Sequence, residues 1–510
     1  MFRILFFSVA LLFLLQEYSM CQETEQVELV HANTLEGDEK LGKNVFRLIG
    51  NVQFRHNDVL MHCDSAYRFS DENRFDAFGN IHINRGDTVH AYGNLLKYDG
   101  NSKTARIFEN VRLTDRKMEL TTSQLNFNTQ SNIADYHTGG KIVDRENVLT
   151  SKRGYYFASQ KSMYFKDSVV LVNPKYVVEC DTLKYNTATS TAFFLGPTTI
   201  ESKGSDSTFI FCNNGWYNTE SGKSYFSDNA FMQSKNQRLL GDSLFYDRQL
   251  GIGEALGRVE AFDLDNEIIV HSDYAVYYDL ERRSIATGNA VFTQKFGSDS
   301  LFLHSDTLLA VWDSLDNRKS YFAFHHVRIF KSDLQGACDS LTYFASDSII
   351  RMYYRPVLWS EQNQMTADTI HLRLLNSNID KMLFYNSAFI ASKVDSLRYN
   401  QVRGKNMTGY FKESKLHKID VEGNGQTIYY VKEKKENSER LTGVNRAECS
   451  NLSVIVNESK VEKIFLYTKP EGTLYPINEL KPEELKLKGF SWQEEKRPVS
   501  REDIFRRTPD

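Results

Sequence analysis

Cys338-Asp339-Ser340-Leu341-Thr342-Tyr343 is one copy of a phrase that recurs along most of this chain. Cys63-Asp64-Ser65-Ala66-Tyr67 opens the series, and Cys180-Asp181-Thr182-Leu183-Lys184-Tyr185 and Gly241-Asp242-Ser243-Leu244-Phe245-Tyr246 continue it. Ser272-Asp273-Tyr274-Ala275-Val276-Tyr277, Ser305-Asp306-Thr307-Leu308, Ala367-Asp368-Thr369-Ile370 and Val394-Asp395-Ser396-Leu397-Arg398-Tyr399 follow. From Asp242 onward the aspartates stand 27 to 33 residues apart. Self-similarity at a fixed period of roughly 20–50 residues marks a repeat architecture.

A second phrase lies between the copies: Gly50-Asn51-Val52, Gly79-Asn80-Ile81, Asn110-Val111, Asp228-Asn229-Ala230, Gly257-Arg258-Val259, Gly288-Asn289-Ala290 and Asn386-Ser387-Ala388. Gly and Asn tolerate positive φ, and Asp, Ser and Thr bond the backbone two residues on, so both phrases suit sharp bends. The residues between them alternate, as strands do. Before the corner the apolar set Tyr176, Val178 and Cys180 has the opposite parity to Leu183 and Tyr185, which is what a bend at Asp181-Thr182 would produce. The fold class is therefore all-β: an elongated, repetitive, jellyroll- or solenoid-like stack with an apolar interior. The residues expected to face inward are Leu183, Tyr185, Leu244, Tyr246, Ala275, Tyr277, Leu308, Leu341, Tyr343, Ile370, Leu372, Leu397 and Tyr399. They make either a sealed core or, if one seam is open, a continuous surface for acyl chains.

The flanks differ from the repeats. Residues 1–21 carry Arg3, an apolar run over 4–15 and Ser19-Met20-Cys21, the pattern of a secretory signal peptide. A lipid-modified Cys21 is the rival reading, and Met20 fits it poorly. Beyond it no stretch reaches the eighteen or so apolar residues of a membrane-spanning helix. Between 27 and 431 only Pro174, Pro197 and Pro356 interrupt the strands, while the chain holds 27 Tyr and 34 Phe. Five of its eight prolines fall after 432. There Lys432–Glu436 reads as a solvated loop, followed by two strand-like runs (452–456 and 461–467) and a partly helical tail. Pro482-Glu483-Glu484-Leu485 suits a helix start, and Ser500-Arg501-Glu502-Asp503 resembles a capping box.

Composition argues against several functions. With 62 Lys and Arg against 66 Asp and Glu, no basic excess suits nucleic acid. The repeated aspartates read as corner residues, since a catalytic cluster would break the repeat rather than constitute it. His325-His326 would point to opposite faces of a strand. Gly222-Lys223-Ser224 lacks the glycine spacing of a phosphate loop. No metal or cofactor is implied. Cys63, Cys180, Cys212 and Cys338 all stand just before a corner, as small buried hydrophobes do. Cys180 and Cys212 are one repeat apart; if successive coils stacked at about 4.8 Å they would come close to disulfide range.

Exported, proline-poor β-repeats of this kind resemble the OstA family, periplasmic β-jellyroll proteins of lipopolysaccharide transport. The resemblance is carried by Gly50-Asn51-Val52-Gln53-Phe54, Cys63-Asp64-Ser65-Ala66-Tyr67, Gly404-Lys405-Asn406-Met407-Thr408-Gly409-Tyr410-Phe411 and Val421-Glu422-Gly423-Asn424-Gly425, and it extends over roughly 27–430. It implies an antiparallel roll open along one side, with lipid A acyl chains in its apolar interior. It also implies end-to-end pairing, with other jellyroll components of a transport bridge, with an outer-membrane translocon, or with further copies of the chain. The organisation expected is a signal peptide (1–21), the N-terminal part of an OstA-like jellyroll (22–180), continuing OstA-like repeats (181–431) and a C-terminal β and tail segment (432–510). The function expected is a non-enzymatic periplasmic lipid carrier, peripheral to the outer membrane. The alternative is a secreted β-solenoid that binds or cleaves polysaccharide, which would show outward aromatic columns and a carboxylate cluster that breaks the repeat.

Overall fold

The computed structural model describes residues 26–507 except 38–39, 41, 57, 86–88, 115–117, 205–207, 298, 313–317, 376–377, 413–414, 436–437 and 458–459. The stretch expected to be a signal peptide, with Cys21, lies outside the described residues. What is described is all-β: strands from Glu28–His31 to Glu471–Pro476, with three short 3-10 turns and no α-helix among the described residues. Every pairing described is antiparallel, so the phrases punctuate hairpins rather than parallel coils. The chain divides into two compact units, one ending at Asn173 and one beginning at Pro174.

The two recurring phrases are opposite sides of one β-bulge. Strand Val59–Phe69 pairs with Arg74–Arg85, with His62 opposite His82 and Ser65 opposite Phe78. Cys63 and Asp64 therefore face three residues, Gly79, Asn80 and Ile81, and the extra one bends the ladder. Gly79 and Asn80 take φ of +74° and +44°. Asp64 fills the space above Gly79, where a Cβ would lie 3.0 Å from the Asp64 Cγ, and Asn80 Nδ2 donates to Asp64 Oδ2 at 2.8 Å. Asn289 Nδ2 donates likewise to Asp273 Oδ2 at 2.9 Å, and Arg258 Nε to Asp242 Oδ1 at 2.8 Å. These aspartates are thus structural, the carboxylates of Asp64, Asp242 and Asp273 each tying the bulge that follows. His325 and His326 occupy a bulge too, both at positive φ, so they do not point to opposite faces of a strand. Each reaches a corner aspartate: His326 Nδ1 lies 2.8 Å from Asp306 and His325 Nδ1 3.3 Å from Asp339.

Because the bulge shifts register by one residue, the inward parity changes there. Met61 and Cys63 are buried before the corner and Ala66 after it; Val178 and Cys180 before it and Leu183 after it. In the N-terminal unit the two inward rows close on each other. Leu48, Ala66, Ala77, Leu96 and Ile107 lie in cross-strand register, and Phe54 and Phe75 stack at 4.0 Å in the same core.

Four expectations need correction. First, Cys180 and Cys212 are free thiols. Both stand opposite Thr198, one on each side, so one repeat spans two strands and the cysteines are roughly 9–10 Å apart, beyond disulfide reach. Burial, with Asp181 adding to it, pushes the Cys180 thiol up to about 12, and burial pushes Cys212 up to about 11. Native protein is therefore expected to leave both unmodified by iodoacetamide, and non-reducing denaturation to release two alkylatable thiols. A cross-linked 180–212 peptide in the mass spectrum would contradict this. Second, the charge run after Val431 is not a loop. Its residues 432–435 complete strand Lys415–Lys435, with Glu433 opposite Arg440 in the register, while Glu436 lies outside the described residues. Third, the phrase at 394–399 forms a turn. Asp395 Oδ1 accepts from the backbone N–H of Leu397 and Arg398, both at 2.9 Å, and no bulge forms. Fourth, the helical signals of the tail give no helix: 482–485 is a plain turn and the signal at 500–503 yields a single 3-10 turn, Glu502–Phe505, with another at Glu494–Lys496 that was not expected; residues 477–507 lie on the outer surface of their own unit.

Candidate functional site

Along the C-terminal unit one inward row can be followed strand by strand. Leu183 stands opposite Phe194, Phe194 opposite Gly215, then Phe226 and Leu244. The row continues through Ala255, Ala275, Ala286, Leu308 and Ala323. It then reaches Leu341, Met352, Ile370 and Phe384. Bulky side chains fill the row at both ends, but four of the five central positions are alanine. Large-to-small substitution inside a roll leaves volume where the neighbours do not collapse.

That volume is a cavity of about 1790 Å³, well above the 300–1,000 Å³ typical of drug-sized ligand sites. One wall is Ala275, Ala286, Leu308, Ala323 and Leu341 of the row; the facing wall includes Ile268, Val270, Leu303, Leu358, Met365 and Ile390. Polar lining residues at strand ends and turns include Asn236, Asp263, Lys319, Lys331, Asp333, Ser360 and Asn363. Two ion pairs lie among them, Lys319 with Asp263, and Lys331 with Asp333 at 2.6 Å. Burial pushes the Asp263 carboxyl up, but the Lys319 and Asn266 hydrogen bonds outweigh it and hold the group below its usual range. Burial also pushes Tyr321 up to about 12, where its ring stacks on Tyr343 with centroids 6.3 Å apart. The arrangement is an apolar chamber with a polar mouth that holds two ion pairs. It can take up apolar chains and leave a polar group at the strand ends.

Of the thirteen residues expected to face inward, Ala275, Leu308, Leu341, Tyr343 and Leu372 line this cavity. Leu183, Leu244 and Ile370 are buried in the same row without lining it. The remaining five depart from the expectation. Tyr246 and Tyr277 are each 38% exposed and Tyr185 is half-buried, because four residues past the aspartate the strand is near its end. Tyr277 instead donates its hydroxyl to Asp279 at 3.1 Å. Leu397 is 85% exposed in the turn capped by Asp395. Tyr399 packs against Phe490 and Trp492 of the tail, on the outer surface. Sequence reasoning missed the alanines at 255, 286 and 323, each two residues before a bulge. It also missed the whole facing wall.

The fold and the chamber define a class: an antiparallel β-roll with an apolar lumen. Residues 24–181 match the family model described as OstA-like protein, so the resemblance drawn over roughly 27–430 is found on that stretch, under a third of the chain. No curated protein matches. Similar solved structures include LptH from Pseudomonas aeruginosa, described as the LptA homologous periplasmic component of the conserved lipopolysaccharide transport device. It is 15% identical, with 22% of this chain and 92% of that chain covered and a TM-score of 0.21. The WD40 domain of SCAP from fission yeast is 8% identical, with 85% and 98% covered and a TM-score of 0.11. Neither structural likeness is close enough to carry an argument. Among the described residues no helix is long and apolar enough to cross a membrane.

Proposed function

We propose that this chain is a non-enzymatic periplasmic carrier that holds the acyl chains of lipopolysaccharide in the cavity of its C-terminal unit, as one link of a bridge to the outer membrane. The observation that carries the reading is the alanine-floored chamber of about 1790 Å³ with its polar mouth. The OstA-like match at residues 24–181 supports the same class of cargo. Transfer of each methylene from water into such a lining is worth roughly 0.8 kcal/mol. A row of near-equivalent apolar contacts lets the chains shift without a deep trap, and the drive comes from elsewhere. The edge strands Glu28–His31 and Lys460–Tyr467 are the natural places for other jellyroll components, or a second copy, to pair.

The test is photo-crosslinking in lipopolysaccharide-producing cells. A photoreactive residue at Leu341, Tyr343 or Leu372 is expected to give lipopolysaccharide adducts, while one at Thr342 or Arg373, on the opposite face, gives none. Adducts at neither set, in exported and folded protein, would overturn the proposal.

A further inference from the structure

The tail crosses the outside of the wall that carries Leu358, Met365 and Ile390, and three buried glutamines hold it there. Gln335, Trp359, Gln364, Ala391 and Gln401 stand in cross-strand register on the outward face, one residue along from the inward row Gly336, Leu358, Met365, Ile390 and Val402. Gln401 Nε2 donates to the carbonyl of Leu485 and its Oε1 accepts from the N–H of Leu487, both at 2.9 Å. Gln364 repeats this with the carbonyl of Ser491 at 2.6 Å and the N–H of Gln493 at 2.7 Å. Gln335 Oε1 takes two bonds from Arg497, at 2.9 and 2.7 Å, and Arg497 Nη1 also reaches the carbonyl of Glu361 at 3.0 Å. A side-chain amide that both donates to and accepts from a backbone reads an extended chain as a neighbouring strand would.

The strap ties the wall at its shortest strands. Val357–Ser360 and Asn363–Thr366 are four-residue strands, preceded by Tyr354 and Arg355 at positive φ, in contrast to the 16 residues of neighbouring Asn378–Lys393. The strap itself contributes no strand. Within 485–497 only Leu487 is fully buried, and half of the other residues are exposed. Segments with few buried contacts open at lower free energy than sheet cores.

We infer that hairpin 357–366 is a movable section of the cavity wall and that residues 485–497 are the strap that holds it shut. Release of the strap frees Gln364 and Glu361 together, and the hairpin then yields to let an acyl chain pass at Ser360 and Asn363 on the cavity mouth. This rests on the cavity being the carrying site.

The experiment is hydrogen exchange of the full-length protein, alongside exchange of bound lipopolysaccharide for a fluorescent analogue. Gln364→Leu is expected to speed amide exchange of 485–497 and of 357–366 together by at least about tenfold, to leave 176–186 unchanged, and to accelerate lipid exchange by a similar factor. Arg497→Met, which leaves every wall residue intact, is the second variant should Gln364→Leu fail to fold. Loosening of the strap alone, with hairpin protection and lipid exchange as in the wild type, would overturn the inference. If wild-type protein binds no lipopolysaccharide, the carrier proposal fails, and coupled or uncoupled exchange of 485–497 and 357–366 still decides the strap.

Discussion

Gly257→Ala is expected to destabilise the C-terminal unit by about 2–4 kcal/mol, far beyond the usual price of an alanine in a strand. Two effects add. Gly257 has φ of +68°, where a Cβ costs roughly 1–2 kcal/mol. The new Cβ would also lie 2.9 Å from the Asp242 Cγ and 3.0 Å from its Cβ, as well as against Oδ2. The carboxylate oxygen can swing away, but the Asp242 Cβ cannot without moving the strand. Loss of the Asp242–Arg258 ion pair adds little, because both partners are solvent-exposed. Gly297→Ala is the matched control: its φ is +61°, with nothing within 4 Å of a Cβ, so it registers the backbone term alone. All four tryptophans (216, 312, 359 and 492) lie in this unit, so their fluorescence follows its unfolding separately from the other unit. Equal costs for the two variants would show that the close approach to Asp242 is not structural.

The same pair of phrases shows how far the sequence could be read. Asp-Ser/Thr and Gly-Asn are local signals, legible because a bulge at positive φ admits few residue types, and they give the strand class, the period and the parity change. Residue spacing alone does not distinguish a coil from a hairpin, since both return the chain to its neighbour. Hence Cys180 and Cys212 fall one repeat apart in sequence but two strands apart in space. The inward positions two past each aspartate, such as Leu183, Leu244 and Leu341, were legible from alternation. Those two before each bulge obey the same rule and are small where the cavity lies, at Ala286 and Ala323. An alanine carries little hydrophobic weight, so a search for bulky apolar residues passes over the positions that make the space. The strap was not legible at all. Glutamine reads as a surface residue, and only tertiary register brings Gln335, Gln364 and Gln401 into one row.

Leu308→Glu is expected to weaken lipopolysaccharide binding by roughly 30–150-fold, about 2–3 kcal/mol, with the fold intact. Leu308 is half-buried, lines the cavity, and stands between Ala286 and Ala323, so a longer side chain has room and water in the empty chamber can solvate a carboxylate. An acyl chain on the same wall would strip that water away without offering a hydrogen bond, and burial of an unpaired polar group costs several kcal/mol. The penalty has a pH signature. Lipid disfavours the charged form and so raises the pKa of the new carboxyl in the complex above its value in the free protein. Affinity should then recover as pH falls through that raised pKa, whereas wild-type affinity has no such step from this position. Leu308→Lys separates the two ways an anionic lipid could be affected. If the chamber takes acyl chains, lysine weakens binding as glutamate does, because either charge is buried; if the position meets anionic head groups, lysine tightens it. Native tryptophan fluorescence with unchanged affinity in Leu308→Glu would mean that the alanine-floored chamber does not hold the lipid.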